Sequence, residues 1–139
     1  MANYYCTVRT NYFHVKNEEQ FKKLMERVCG YEDSVNLWED RDAEGNIVFG
    51  FGAYTGILGV EIEDDEYSYD EFIKGLQNCV ADDDAIIIME AGNEKLRYVV
   101  GSALVITSQS YKYLDIAELA AMKAAEMLAN PEWSTRCDY

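Results

Sequence analysis

The chain has 139 residues, 49% hydrophobic and 13% aromatic, and it carries 12 Lys/Arg against 26 Asp/Glu for a net charge of −14. This is the size of one domain, with enough apolar side chains for a core; a disordered chain or a linker-rich one, which a single Pro and nine Gly also oppose, is excluded. The acidity works against direct binding to nucleic acid, which draws most of its affinity from neutralised phosphates, and favours a basic partner surface.

Tyr4 to Val15 mixes Tyr, Thr, Val and Phe with no helical period and predicts a strand. Asn17-Glu-Glu-Gln20 predicts a helix start with Asn17 as N-cap. Phe21, Leu24, Met25 and Val28 follow the i, i+3, i+4, i+7 spacing, and Gly30 suits the helix end. Ser34 to Asp40 alternates, Asp42 to Asn46 reads as a turn, and Ile47 to Tyr54 returns, which predicts a hairpin. The next stretch is acidic: seven of the eleven residues from Glu61 to Glu71 are carboxylates. At its end Ser68-Tyr-Asp-Glu71 is a capping box, followed by an apolar helix face of Phe72, Leu76, Cys79 and Val80.

Ala85 to Ala91 predicts a buried strand, and Gly92-Asn93 fits a type II′ turn. Leu96 to Thr107 then returns, bent or bulged near Gly101, with Glu90 facing Lys95 across the hairpin. Asp115-x-x-Glu118 opens a last Ala-rich helix that stops at Asn130-Pro131, and Trp133 is expected to pack the tail. The order β-α-β-β-α-β-β-α begins as the ferredoxin-like βαββαβ motif does. We therefore expect a single α+β domain over 1–139: a ferredoxin-like core extended by one strand and a C-terminal helix, with a mainly antiparallel sheet and helices on one face.

The N-terminus MANYYCTVRTNYF has no apolar h-region, and the longest nearly apolar run, Tyr98 to Ile106, is about half of a membrane span. These features predict a cytoplasmic protein without membrane contact. Cys6, Cys29, Cys79 and Cys137 form no CxxC pair and read as small hydrophobes rather than disulfides.

No catalytic constellation emerges. Glu61 to Glu66 contains no Gly and is not an EF-hand loop, and Asp82-Asp83-Asp84 runs straight into a strand. Gly50, Gly52, Gly56 and Gly59 do not form a phosphate-binding fingerprint. The single histidine, His14, lies too far along an extended strand from Cys6 to form a dyad. We expect no cofactor and no metal. Glu90 is the most distinctive single acid, with Lys95 as its expected partner. The eleven tyrosines form no periodic stacking platform.

Charge is uneven. Residues 1–27 carry a net +2, whereas residues 60–90 hold eleven acids and one Lys, a net −10. Asp70 and Glu71 complement a helix N-terminus, which leaves Glu61, Glu63, Asp64, Asp65 and Glu66 without a structural purpose. Together with Asp82, Asp83 and Asp84 they are the candidate partner-binding residues.

The stretches YYCTVRTNYFHVKNEEQF, DDDAIIIMEAGNEKLRYVVGSALVITS and NPEWSTRCDY resemble an uncharacterised family of small acidic proteins associated with mobile elements of gut-dwelling Gram-positive bacteria. The resemblance covers most of the chain, least of all its acidic stretch. It implies no catalytic residue. It implies an accessory role, by analogy with small acidic proteins that inhibit host defence by occupying a DNA-binding surface. The expectation is a non-enzymatic protein that docks its acidic surface on a basic site of a partner protein. Two alternatives stand beside it: a small enzyme or ligand-binding domain with a pocket holding His14, Glu90 or Arg97, and a module that self-associates through an exposed edge strand near residues 98–107.

Overall fold

The structure is a computed structural model that describes residues 4–137; Met1 to Asn3, Asp138 and Tyr139 lie outside the described residues. Twelve elements follow in chain order: β1 (Tyr5–Thr10), α1 (Glu18–Glu26), β2 (Val28–Gly30), β3 (Asn36–Arg41), β4 (Ile47–Ala53), β5 (Ile57–Glu63), β6 (Glu66–Ser68), α2 (Tyr69–Cys79), β7 (Ile86–Glu94), β8 (Tyr98–Ile106), β9 (Tyr111–Asp115) and α3 (Ile116–Met127). The class is α+β with antiparallel sheets. One sheet has six strands in the order β3-β4-β1-β7-β8-β9, and the other has three in the order β2-β5-β6.

Strand number is where the expected ferredoxin-like order is not confirmed. The five anticipated strands are present, but β2, β5, β6 and β9 are additional. β1 lies between β4 and β7 and runs antiparallel to both. The expectation of helices on one face is also corrected. α1 and α2 cover one face of the large sheet. α3 lies over the other, where Ile116 packs above Gly101. β8 is interior rather than an edge, because β9 pairs along Ser102–Ile106.

The helix starts form as their sequences dictate. Asn17 Oδ1 accepts the Gln20 N–H at 3.0 Å, and Ser68 Oγ accepts the Glu71 N–H at 3.1 Å. α1 buries Phe21, Leu24 and Met25; α2 buries Phe72, Ile73, Leu76 and Cys79. α1 ends at the Arg27 cap, one turn before Gly30, because Val28 to Gly30 pairs with β5 instead. Five phenylalanines lock the helices to the sheet. Phe13 meets Phe21 and Phe51 edge-on, at ring separations of 5.5 and 6.1 Å, and Phe21 lies 5.0 Å from Phe49.

The β7–β8 hairpin departs from its predicted turn. Gly92 does not turn the chain; it pairs with Cys6 on one side and Val100 on the other. A Cβ there would lie 2.4 Å from the Tyr5 carbonyl oxygen and 2.7 Å from the Cys6 Cβ, so the glycine serves close strand approach. The chain reverses at Lys95-Leu96-Arg97, with Lys95 at φ 51°. Glu90 therefore pairs with Ser102, not Lys95, and β8 passes Gly101 in unbroken register.

Candidate functional site

The eight predicted acidic residues fall into two groups. Glu61, Glu63, Asp64, Asp65 and Glu66 build the β5–β6 hairpin, whose Glu63–Glu66 pair closes on a two-residue turn, Asp64-Asp65. Asp65 has φ 60°, which a short polar side chain tolerates. All five are exposed, and among the described residues none of them forms an ion pair. Arg27 contacts the hairpin backbone. Its guanidinium donates to the Glu61 backbone oxygen at 3.3 Å, while its own carbonyl accepts the Glu61 N–H. The hairpin runs directly into α2, so Asp70 and Glu71 continue the acidic surface, with Glu71 paired to Lys74 at 3.6 Å.

Asp82, Asp83 and Asp84 leave the far end of α2. That helix has 11 residues, which sets the groups about 16 Å apart along its axis. The second group is also engaged. Asp82 bonds Lys16 at 3.0 Å. Asp84 Oδ2 accepts both the His14 N–H and its ring Nδ1–H, each at 2.8 Å. Asp82 and Asp84 hold the fold, whereas among the described residues the hairpin carboxylates form no ion pair.

His14 is the residue whose setting was least visible in the sequence. Its Nε2 lies 2.7 Å from Asp42 Oδ2, so the ring is clasped between two carboxylates from separate segments. Asp42 also accepts the Glu44 and Asn46 N–H groups, which fixes the β3–β4 turn. The Asp42 and Asp84 bonds raise the His14 pKa. The His14 ring, first, and the Asn46 N–H bring Asp42 down to about 2. A doubly donating imidazolium has no lone pair for substrate, so the clasp ties segments together rather than moving protons.

Glu90 lines a hollow of about 420 Å³ with Tyr4, Cys6, Tyr31 and Thr55. Tyr4 Oη donates to its Oε2 at 2.9 Å. Burial, then that bond to Glu90, raises the Tyr4 pKa; burial and the Glu90 charge push Tyr69 up to about 12. Cys6 is raised for the same reasons, which disfavours its nucleophilic thiolate. His14 lies in a separate shallow hollow with Asp42, Glu44 and Asp83, so the two are not one site. Of the cysteines, Cys79 is buried, Cys6 and Cys29 are half-buried, and Cys137 is exposed; all are free thiols.

Among the described residues, no group of three His, Cys, Asp or Glu is placed to hold a metal ion, and no helix is long and apolar enough to cross a membrane. The chain matches no protein-family model, no curated protein and no solved structure.

Proposed function

We propose that this protein is a non-enzymatic binding protein that docks the acidic β5–β6 hairpin on a basic surface of a partner protein. The observation that carries the reading is five exposed carboxylates on a two-stranded hairpin, with no ion-pair partner among the described residues. Like charges held this close repel one another and oppose folding. A hairpin anchored through Val60, which is 1% exposed, and through the start of α2 keeps them together nonetheless. Such a patch accelerates encounter with a basic surface and rejects acidic ones. The loop acids Asp82 to Asp84 play no direct part, since Lys16 and His14 occupy two of the three.

The site chemistry supports the non-enzymatic side of the reading. The ring nitrogens of His14 are both engaged, and the Cys6 thiol is held protonated. The resemblance to acidic mobile-element proteins adds an accessory role in the cytoplasm, with a defence or DNA-processing protein as the basic partner.

The test is a hairpin variant carrying Glu61→Gln, Glu63→Gln, Asp64→Asn, Asp65→Asn and Glu66→Gln. Its association with the basic partner should slow at least tenfold at low salt, and the salt dependence of the on-rate should flatten. An unchanged on-rate and salt slope would remove the hairpin from the interface.

A further inference from the structure

The β5–β6 hairpin gathers one cluster of acids; the outer face of the large sheet is a different surface. Strand pairing places Thr7, Ala91 and Gly101 in one row on that face and Arg9, Met89, Ala103 and Leu114 in the next. By the same registers its charged side chains are Arg9, Asp40 and Lys112, a net +1 in a chain of −14. Trp38 lies there over β4, with the Arg9 guanidinium 5.2 Å from its ring centroid.

This face is apolar and, among the described residues, largely uncovered. Trp38 is 37% exposed, Ile87 36%, Met89 49% and Val99 62%. α3 lies over only the β8–β9 end, and it buries none of its residues; Ile116, Leu119 and Met122 remain 62, 47 and 62% exposed. Between α3 and the sheet runs a groove lined by Arg9, Met89, Ala103, Leu114 and Leu119. The β7 sequence Ile86-Ile87-Ile88-Met89 is apolar at every position, the pattern of a strand covered on both faces, yet only Ile86 and Ile88 are buried.

We propose that a second copy of this chain covers the outer face, in a two-fold dimer whose contact joins the open sheet and α3 of each protomer. Area supports that occupant. Aliphatic side chains of this size account for about 60–120 Å² each and a Trp for about 150–250 Å², so the seven named above leave roughly 400 Å² of apolar surface per copy. Ala91, Ala103 and Thr7 extend it towards the roughly 800 Å² per partner of a stable interface, and monomers rarely expose contiguous apolar patches larger than a few hundred. Charge supports it too. Two chains of −14 repel, and this near-neutral face lets them meet with the β5–β6 hairpins kept outside the contact. The proposal goes beyond the docking reading and does not depend on it.

Sedimentation velocity of the full chain at tens of micromolar tests it. The expected species has twice the 15.9 kDa chain mass. Met89→Lys and Leu119→Lys change half-exposed positions outside the buried core, so circular dichroism should be unchanged while dimerisation weakens at least tenfold. The hairpin-neutralised variant should remain dimeric. Added salt should tighten the wild-type dimer, the opposite of its effect on hairpin docking, because salt screens the repulsion between copies. A 15.9 kDa monomer would overturn the proposal, as would a dimer indifferent to both lysine variants, which would place the contact at a strand edge.

Discussion

Gly92 shows how one residue can be read correctly as special and wrongly as to why. Beside Asn93 it looks like a turn, but its role is to let β1 approach β7. Gly92→Ala should cost about 1–3 kcal/mol by forcing those strands apart, since an overpacked interior strains the backbone around it; chemical denaturation would measure the loss. Wild-type stability in that variant would mean the strands have slack there. His14 offers a second test. Its raised pKa means that the protonated clasp contributes fully below about 6.5 and loses that contribution as pH rises through the raised value. Asp42 acts in the opposite sense: its contribution is present above the ordinary value of 3.8 and is lost as pH falls towards about 2. The melting-temperature gap between wild type and His14→Gln should therefore be widest at about pH 4–6.5 and shrink on either side. A gap that does not vary with pH would mean that the ring packs without being charged.

Among the elements, the helices were the most legible. Their caps are local chemistry written in four residues, and Ser68→Ala should cost about 1 kcal/mol in thermal unfolding by freeing the Glu71 N–H. No loss would mean that water or another acceptor takes over. The β3–β4 hairpin was equally plain, because the Asp42 side chain builds its turn. What stayed hidden was the second sheet. β5 and β6 read as an acidic loop because carboxylates dominate the composition. Leu58, Val60 and Ile62 alternate with other residues there, a strand period that the charge obscured. β2 and β9 were lost differently: β2 is three residues after a helix, and β9 is short and tyrosine-rich, so tertiary pairing decides both. The acidic candidate residues were chosen by density, and density could not show that α2 would part them or that Lys16 and His14 would engage only the second group.

At the scale of the molecule, the chain separates its two surface chemistries. The β5–β6 hairpin is acidic, with no ion pair to its carboxylates among the described residues, and the strands of the outer sheet face are apolar with a net charge of +1. The sequence carried a sign of the second surface in the unbroken apolar run of β7, but which face would lack a cover depended on α3 reaching only β8 and β9. The clasp of His14 was beyond sequence reasoning, because Asp42 and Asp84 lie 28 and 70 residues away.

We propose the β5–β6 hairpin as the docking surface. The most direct measurement is capture from bacterial lysate at low and moderate salt, with mass spectrometry, by three baits. These are the wild type, the hairpin variant with Glu61, Glu63, Asp64, Asp65 and Glu66 neutralised, and a loop variant with Asp83→Asn, which leaves the His14 and Lys16 contacts intact. The wild type and the loop variant should hold a saturable basic partner that salt weakens and that the hairpin variant loses. The same proteins held equally by all three baits would contradict it.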